Sequence, residues 1–124
     1  MNSGVSLLSR RSAIVFGAIA FLSACAPVKP SVEDRETAAL APLKKAYPGV
    51  VMGFDFAAPA TVVVSLDLQA YDGMGDSAID AMQHAVLDRW KTVWRDEHPR
   101  EHAVVRVRFI DFIGRKVAEK AVRV

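Results

Sequence analysis

Cys25 is the single cysteine of this 124-residue chain, and it directly follows an unbroken run of apolar and small residues, Ala13–Ala24. Arg10 and Arg11 precede that run, and no acidic residue occurs before Glu33. A bilayer-spanning helix needs roughly 20 apolar residues. The segment is therefore too short for a permanent span, but it fits the apolar region of a secretory signal behind a basic n-region. The constraint on folding is strong. Whatever folds after Cys25 has no disulfide and no thiolate metal site to hold it, and must rely on core packing.

Leu22-Ser23-Ala24-Cys25 resembles the lipobox of bacterial lipoproteins at all four positions. The resemblance implies cleavage before Cys25, thioether lipidation of its thiol and acylation of the new amino terminus. It thus implies a signal peptide over 1–24, a lipidated tether over 25–31 and a folded periplasmic domain over 32–124. Three acyl chains exceed the two membrane signals that stable anchoring takes, so the implied partner is the membrane, engaged through Cys25. Ala26 follows the cysteine, where Asp would imply inner-membrane retention in a Gram-negative host; the expectation is the outer membrane, facing the periplasm. Ser9-Arg10-Arg11 also resembles the start of a twin-arginine signal, but Ala13 stands where that motif has Phe, so general secretion is expected.

The formal net charge of +2 comes from the segment that would be removed. Without Arg10 and Arg11 the basic and acidic side chains balance, which argues against a nucleic-acid partner. An envelope protein remains a possible second partner.

Ser31 with Asp34 three residues on reads as a capping box. It opens a helix over about Val32–Ala46 whose apolar side is Leu40, Leu43 and Tyr47. Pro42 is expected to kink or restart this helix, and Pro48-Gly49 to stop it. Alternation of Val50, Met52, Phe54 and Phe56 with Val51, Gly53 and Asp55 predicts a half-buried strand. Ala57–Ala60 makes a turn, and a second strand runs from Thr61 to about Tyr71. After the Asp72–Asp76 loop, a long helix to about Glu97 carries Ile79, Met82, Val86, Trp90, Val93 and Trp94 as one stripe. Trp90 and Trp94 are expected to pack on Phe54, Phe56, Val64, Leu66, Val107 and Phe109. Strands over about Ala103–Ile113 and Lys116–Val124 then flank Gly114-Arg115, a two-residue hairpin loop. The expected fold class is α+β: a two-layer sandwich in αββαββ order, with a four-stranded, mainly antiparallel sheet and two helices on one face.

That element order, across about residues 31–124, is similar to the BON domain, a module associated with phospholipid and envelope surfaces. The resemblance implies a lipid-surface-binding role as an alternative. It rests on order alone: Val62–Leu68 lacks the glycine that family carries in its first hairpin, and no functional residue carries over.

Catalytic and metal constellations are weak. Glu97, His98, Glu101 and His102 cluster, but Pro99 breaks the helical i, i+4 geometry that pairs histidines on a metal. The Asp72–Asp76 loop lacks the ligand alternation of a calcium loop. No nucleophile–base set or phosphate loop is present. The expectation is a non-catalytic interaction or structural module without cofactor or metal. Its candidate interaction surface follows from the hairpin register. With Gly114-Arg115 as the loop, Phe112 faces Val117 and Arg106 faces Arg123. The uncovered sheet face would then carry Arg106, Arg108 and Arg123 beside Ile110, Phe112 and Val117. Asp111 would point inward, unless a bulge near Ile110 turns Phe112 to the core and Asp111 out.

Overall fold

The computed structural model describes residues 30–124. The expectations for the signal segment, Cys25 and most of the tether lie outside these residues. Helix α1 spans Val32–Ala46, strand β1 Val51–Ala57, β2 Thr61–Leu66, a short helix α2 Leu68–Asp72, the long helix α3 Asp76–Glu97, β3 Val104–Ile110 and β4 Lys116–Arg123. The architecture is α+β.

The capping box forms as expected: the Asp34 N–H donates to Ser31 Oγ at 3.1 Å and the Ser31 N–H to Asp34 Oδ2 at 3.2 Å. These bonds satisfy two backbone donors at the start of α1. The helix continues through Pro42, which has no N–H for the carbonyl of Ala38. Arg89 of α3 reaches the adjacent turn and donates from Nε to the Ala39 carbonyl at 2.9 Å, tying the two helices together.

The strand order is β1-β2-β3-β4. The outer pairs are antiparallel and the central β2–β3 pair is parallel, because α2 and α3 carry the chain back between them. Val62, Val64, Leu66, Val105, Val107 and Phe109 are buried beneath the helices with Leu40, Met82, Val86 and Trp90. The tryptophans behave as the stripe predicts. Trp90 lies 5.7 Å from Phe56 between ring centroids, and its indole N–H donates to the Ala60 carbonyl at 3.0 Å.

Four details depart from the sequence-based expectation. β2 ends at Leu66 instead of continuing to Tyr71. Asp67 accepts from the N–H groups of Gln69 and Ala70 and thereby caps α2; local capping wins over the alternating pattern of Leu66 to Ala70. In β1 a register shift between Val51 and Gly53 buries Val51 and leaves Met52 half exposed, reversing the expected faces at that end.

The remaining two concern the β3–β4 hairpin. Its loop is Phe112-Ile113-Gly114, closed by Asp111 and Arg115: the Gly114 N–H donates to the Asp111 carbonyl at 3.1 Å and the Asp111 N–H to the Arg115 carbonyl at 3.0 Å. Gly114 takes φ +87°, the left-handed position that a three-residue hairpin loop assigns to glycine. Finally, Phe109 pairs with Ala118 but Ile110 with Lys116, so Val117 is a bulged extra residue in β4. Arg106 consequently lies opposite Ala121, Arg108 opposite Glu119, and Arg123 opposite Val104. The expected pairs Arg106–Arg123 and Phe112–Val117 do not form.

Candidate functional site

The corrected register reorganises the residues singled out from sequence. Arg106 and Arg108 do lie on the sheet face away from the helices, with Ile110 further along the same strand. Each arginine is bound to a carboxylate, however: Arg106 Nη1 donates to Glu119 Oε2 at 3.3 Å and Arg108 Nε to Glu119 Oε1 at 3.2 Å. The hydrogen bond from Arg108 leads the causes that hold the Glu119 carboxyl below its ordinary pKa; partial burial opposes it, and the charges of Lys116, Arg108 and Arg106 add to the lowering. Glu119 is the counter-charge that a pair of neighbouring arginines needs. Arg123 sits beside Val104 at the other end of the face, and Val117 packs against the core cluster. The six residues therefore do not form one patch.

Phe112 leaves the group in the opposite direction. It stands in the hairpin loop at 88 % exposure, with Ile113 beside it at 58 %. Both side chains are held out by Asp111, which is only 2 % exposed. Its Oδ1 accepts from the Ile113 N–H at 3.1 Å and the Arg115 N–H at 2.9 Å, and its Oδ2 from Arg115 Nε at 2.8 Å. Burial acts to raise the Asp111 pKa, but these bonds and the Arg115 charge outweigh it and hold the carboxyl below its ordinary 3.8. Asp111 is inward, as the unbulged register expects, and its task there is structural. It ties down a loop whose apolar side chains have no core to enter.

The tip does not stand alone. Phe112 and Met52 flank an open groove of about 410 Å³ whose other lining residues are Leu66, Asp67, Leu68 and Gln69. Met52 is 51 % exposed because of the shift in β1, and Leu68 is brought up by the turn into α2. Phe112 and Met52 thus place exposed apolar side chains on the groove, with exposed Ile113 following Phe112 in the loop and Arg115 and Lys116 next along the chain. Single exposed apolar residues are ordinary, whereas a contiguous set with a polar rim marks an interaction site. Sequence analysis named Phe112 but missed Met52, Ile113 and Leu68. The available signal was Phe112-Ile113 immediately before Gly114, the order of a three-residue loop with glycine last.

The site occupies one end of the domain. α1 and α3 run antiparallel, as Arg89 against Ala39 and Glu97 against Glu36 show. The C-terminal end of α1 leads into Val51, which pairs with Leu66 beside the groove. Ser31, where the chain enters the domain, is therefore about 22 Å away along α1, at 1.5 Å per residue.

The clustered residues near the end of α3 are engaged locally. The His98 ring stacks on Trp94 at 4.5 Å, and His102 Nδ1 lies 3.3 Å from the Val124 carbonyl. Among the described residues, no three His, Cys, Asp or Glu side chains converge to hold a metal ion, and no helix is long and apolar enough to cross a membrane. Neither a known protein family, nor a curated protein, nor a solved structure matches the chain.

Proposed function

We propose that this chain is a non-catalytic, lipid-anchored protein of the bacterial envelope whose domain offers the Phe112–Ile113 tip to a protein partner. The observation that carries the interaction role is the fixed exposure of two adjacent large apolar side chains on a loop held by a buried carboxylate. A pre-ordered apolar contact loses little conformational entropy on binding, which is how a small surface gains affinity. The anchoring role is supported by the Leu22–Cys25 resemblance and the basic and apolar segments before it. The outer membrane of a Gram-negative host, facing the periplasm, is the location that Ala26 supports.

The test is co-purification from detergent-solubilised envelopes of the chain's own host. One stoichiometric protein should accompany the wild type and be lost with Phe112→Asp and Ile113→Asp. Equal recovery with those variants defeats the proposal.

A second role, binding of a phospholipid surface in the manner of BON-like domains, is favoured by Arg115 and Lys116 beside the apolar tip, since cations flanking an apolar wedge suit anionic headgroups. Tip-dependent sedimentation of unacylated protein with anionic vesicles, and no protein partner, would favour it instead.

A further inference from the structure

Glu36 lies on the apolar side of α1, four residues before Leu40, and is 7 % exposed. Glu97, the last residue of α3, reaches it across the helix–helix contact within hydrogen-bonding range. Glu97 Oε1 is buried and has no hydrogen-bond partner among the described residues. A buried acceptor is costly without a donor, and two touching carboxylates repel strongly when both are charged. A proton on Glu36 removes both difficulties: it supplies the missing donor and cancels one charge.

We propose that this shared proton is a latch that holds the N-terminal half of α1 against the C-terminal end of α3, and that its loss loosens α1 from the domain. The surrounding charges favour the protonated pair. Glu33 on α1 adds negative charge, and Arg35 on the same helix opposes it. The strand beneath α1, β1, contributes no ionisable group on that side; its one acid, Asp55, pairs with Val63 on the opposite face of the sheet. His98, which follows Glu97, turns back onto Trp94, with its Nε2 4.0 Å from Glu101. Burial first, then the hydrogen bond to Glu97 and the charges of Glu97 and Glu33, raise the Glu36 pKa from 4.5 to about 7.

The sign follows from that direction. A carboxyl raised in the docked state favours docking fully below about 4.5, its ordinary pKa, and that contribution is lost as pH rises through about 7. The latch is independent of the partner surface, since it lies at the other end of α1.

Amide hydrogen exchange on the full chain in detergent, corrected for intrinsic rates, tests it. Opening of residues 32–46, measured relative to β3, should rise roughly 70-fold between pH 5 and pH 8, the ratio two such pKa values give. Glu36→Gln should flatten that dependence, and Glu97→Gln should shrink it. Opening of α1 that tracks β3 at every pH overturns the latch, as does a full pH dependence retained in either variant.

Discussion

Asp111 and Arg115 are joined three times across the end of the β3–β4 hairpin. The Asp111 carboxylate accepts from the Arg115 backbone N–H at 2.9 Å and from its guanidinium Nε at 2.8 Å, while the Asp111 N–H donates to the Arg115 carbonyl at 3.0 Å. The tip residues between them have no comparable freedom. Asp111→Ala should leave the sheet folded but loosen the loop, seen as lower order parameters for Phe112 and Ile113 amides. Because the Asp111 pKa is lowered, its contribution is present above about pH 3.8 and fades as pH falls below that. Wild type and variant should therefore differ in melting temperature at neutral pH and converge in acid. A gap that persists at pH 2 would show that the carboxylate is not what closes the loop.

Phe112→Asp separates function from stability. At 88 % exposure the ring contributes little to the core, so the variant should stay within about 0.5 kcal/mol of wild type by urea unfolding, while partner recovery falls. A large loss of stability would mean the ring has a structural contact within the domain.

Trp90→Ala should do the reverse. The side chain is 2 % exposed and bonds the Ala60 carbonyl. Its removal opens a cavity and takes away one of the two hydrogen bonds that carbonyl accepts, the other coming from the Arg106 N–H, costing about 3–5 kcal/mol. Near-native unfolding midpoints would show that the indole does not carry the core between α3 and the sheet.

Cys25→Ser addresses the anchor. Metabolic labelling with an alkyne fatty acid should mark the wild type and not the variant, which should accumulate unprocessed or leave the membrane fraction. Wild-type protein without label would remove the lipid from the account. Ala26→Asp should move the protein toward the inner membrane in a Gram-negative host; unchanged fractionation would count against the sorting expectation.

Much of the fold was legible because its signals are local. The Ser31–Asp34 box, the α3 stripe and the Val62, Val64, Leu66 alternation each declare their element within a few residues. What was not legible was register. A shift at Met52 and a bulge at Val117 each insert one residue without disturbing the hydrophobic pattern around them. Gly114 serves a two-residue and a three-residue loop equally well on paper. The longer loop and the bulge at Val117 together moved Arg106 from Arg123 to Ala121 and brought Glu119 to Arg108. Glu36 had a readable signal that was passed over: it continues the stripe of Leu40, Leu43 and Tyr47, and an acid on that stripe implies an unusual partner.

The central claim is that the tip meets a protein. Replacing Phe112 with a photo-crosslinking phenylalanine analogue and irradiating intact host cells tests it most directly. The account predicts one discrete covalent adduct, absent when the probe stands at exposed Thr92 on α3 and weakened by Ile113→Asp. No adduct from position 112, or the same set of adducts from both positions, would contradict it.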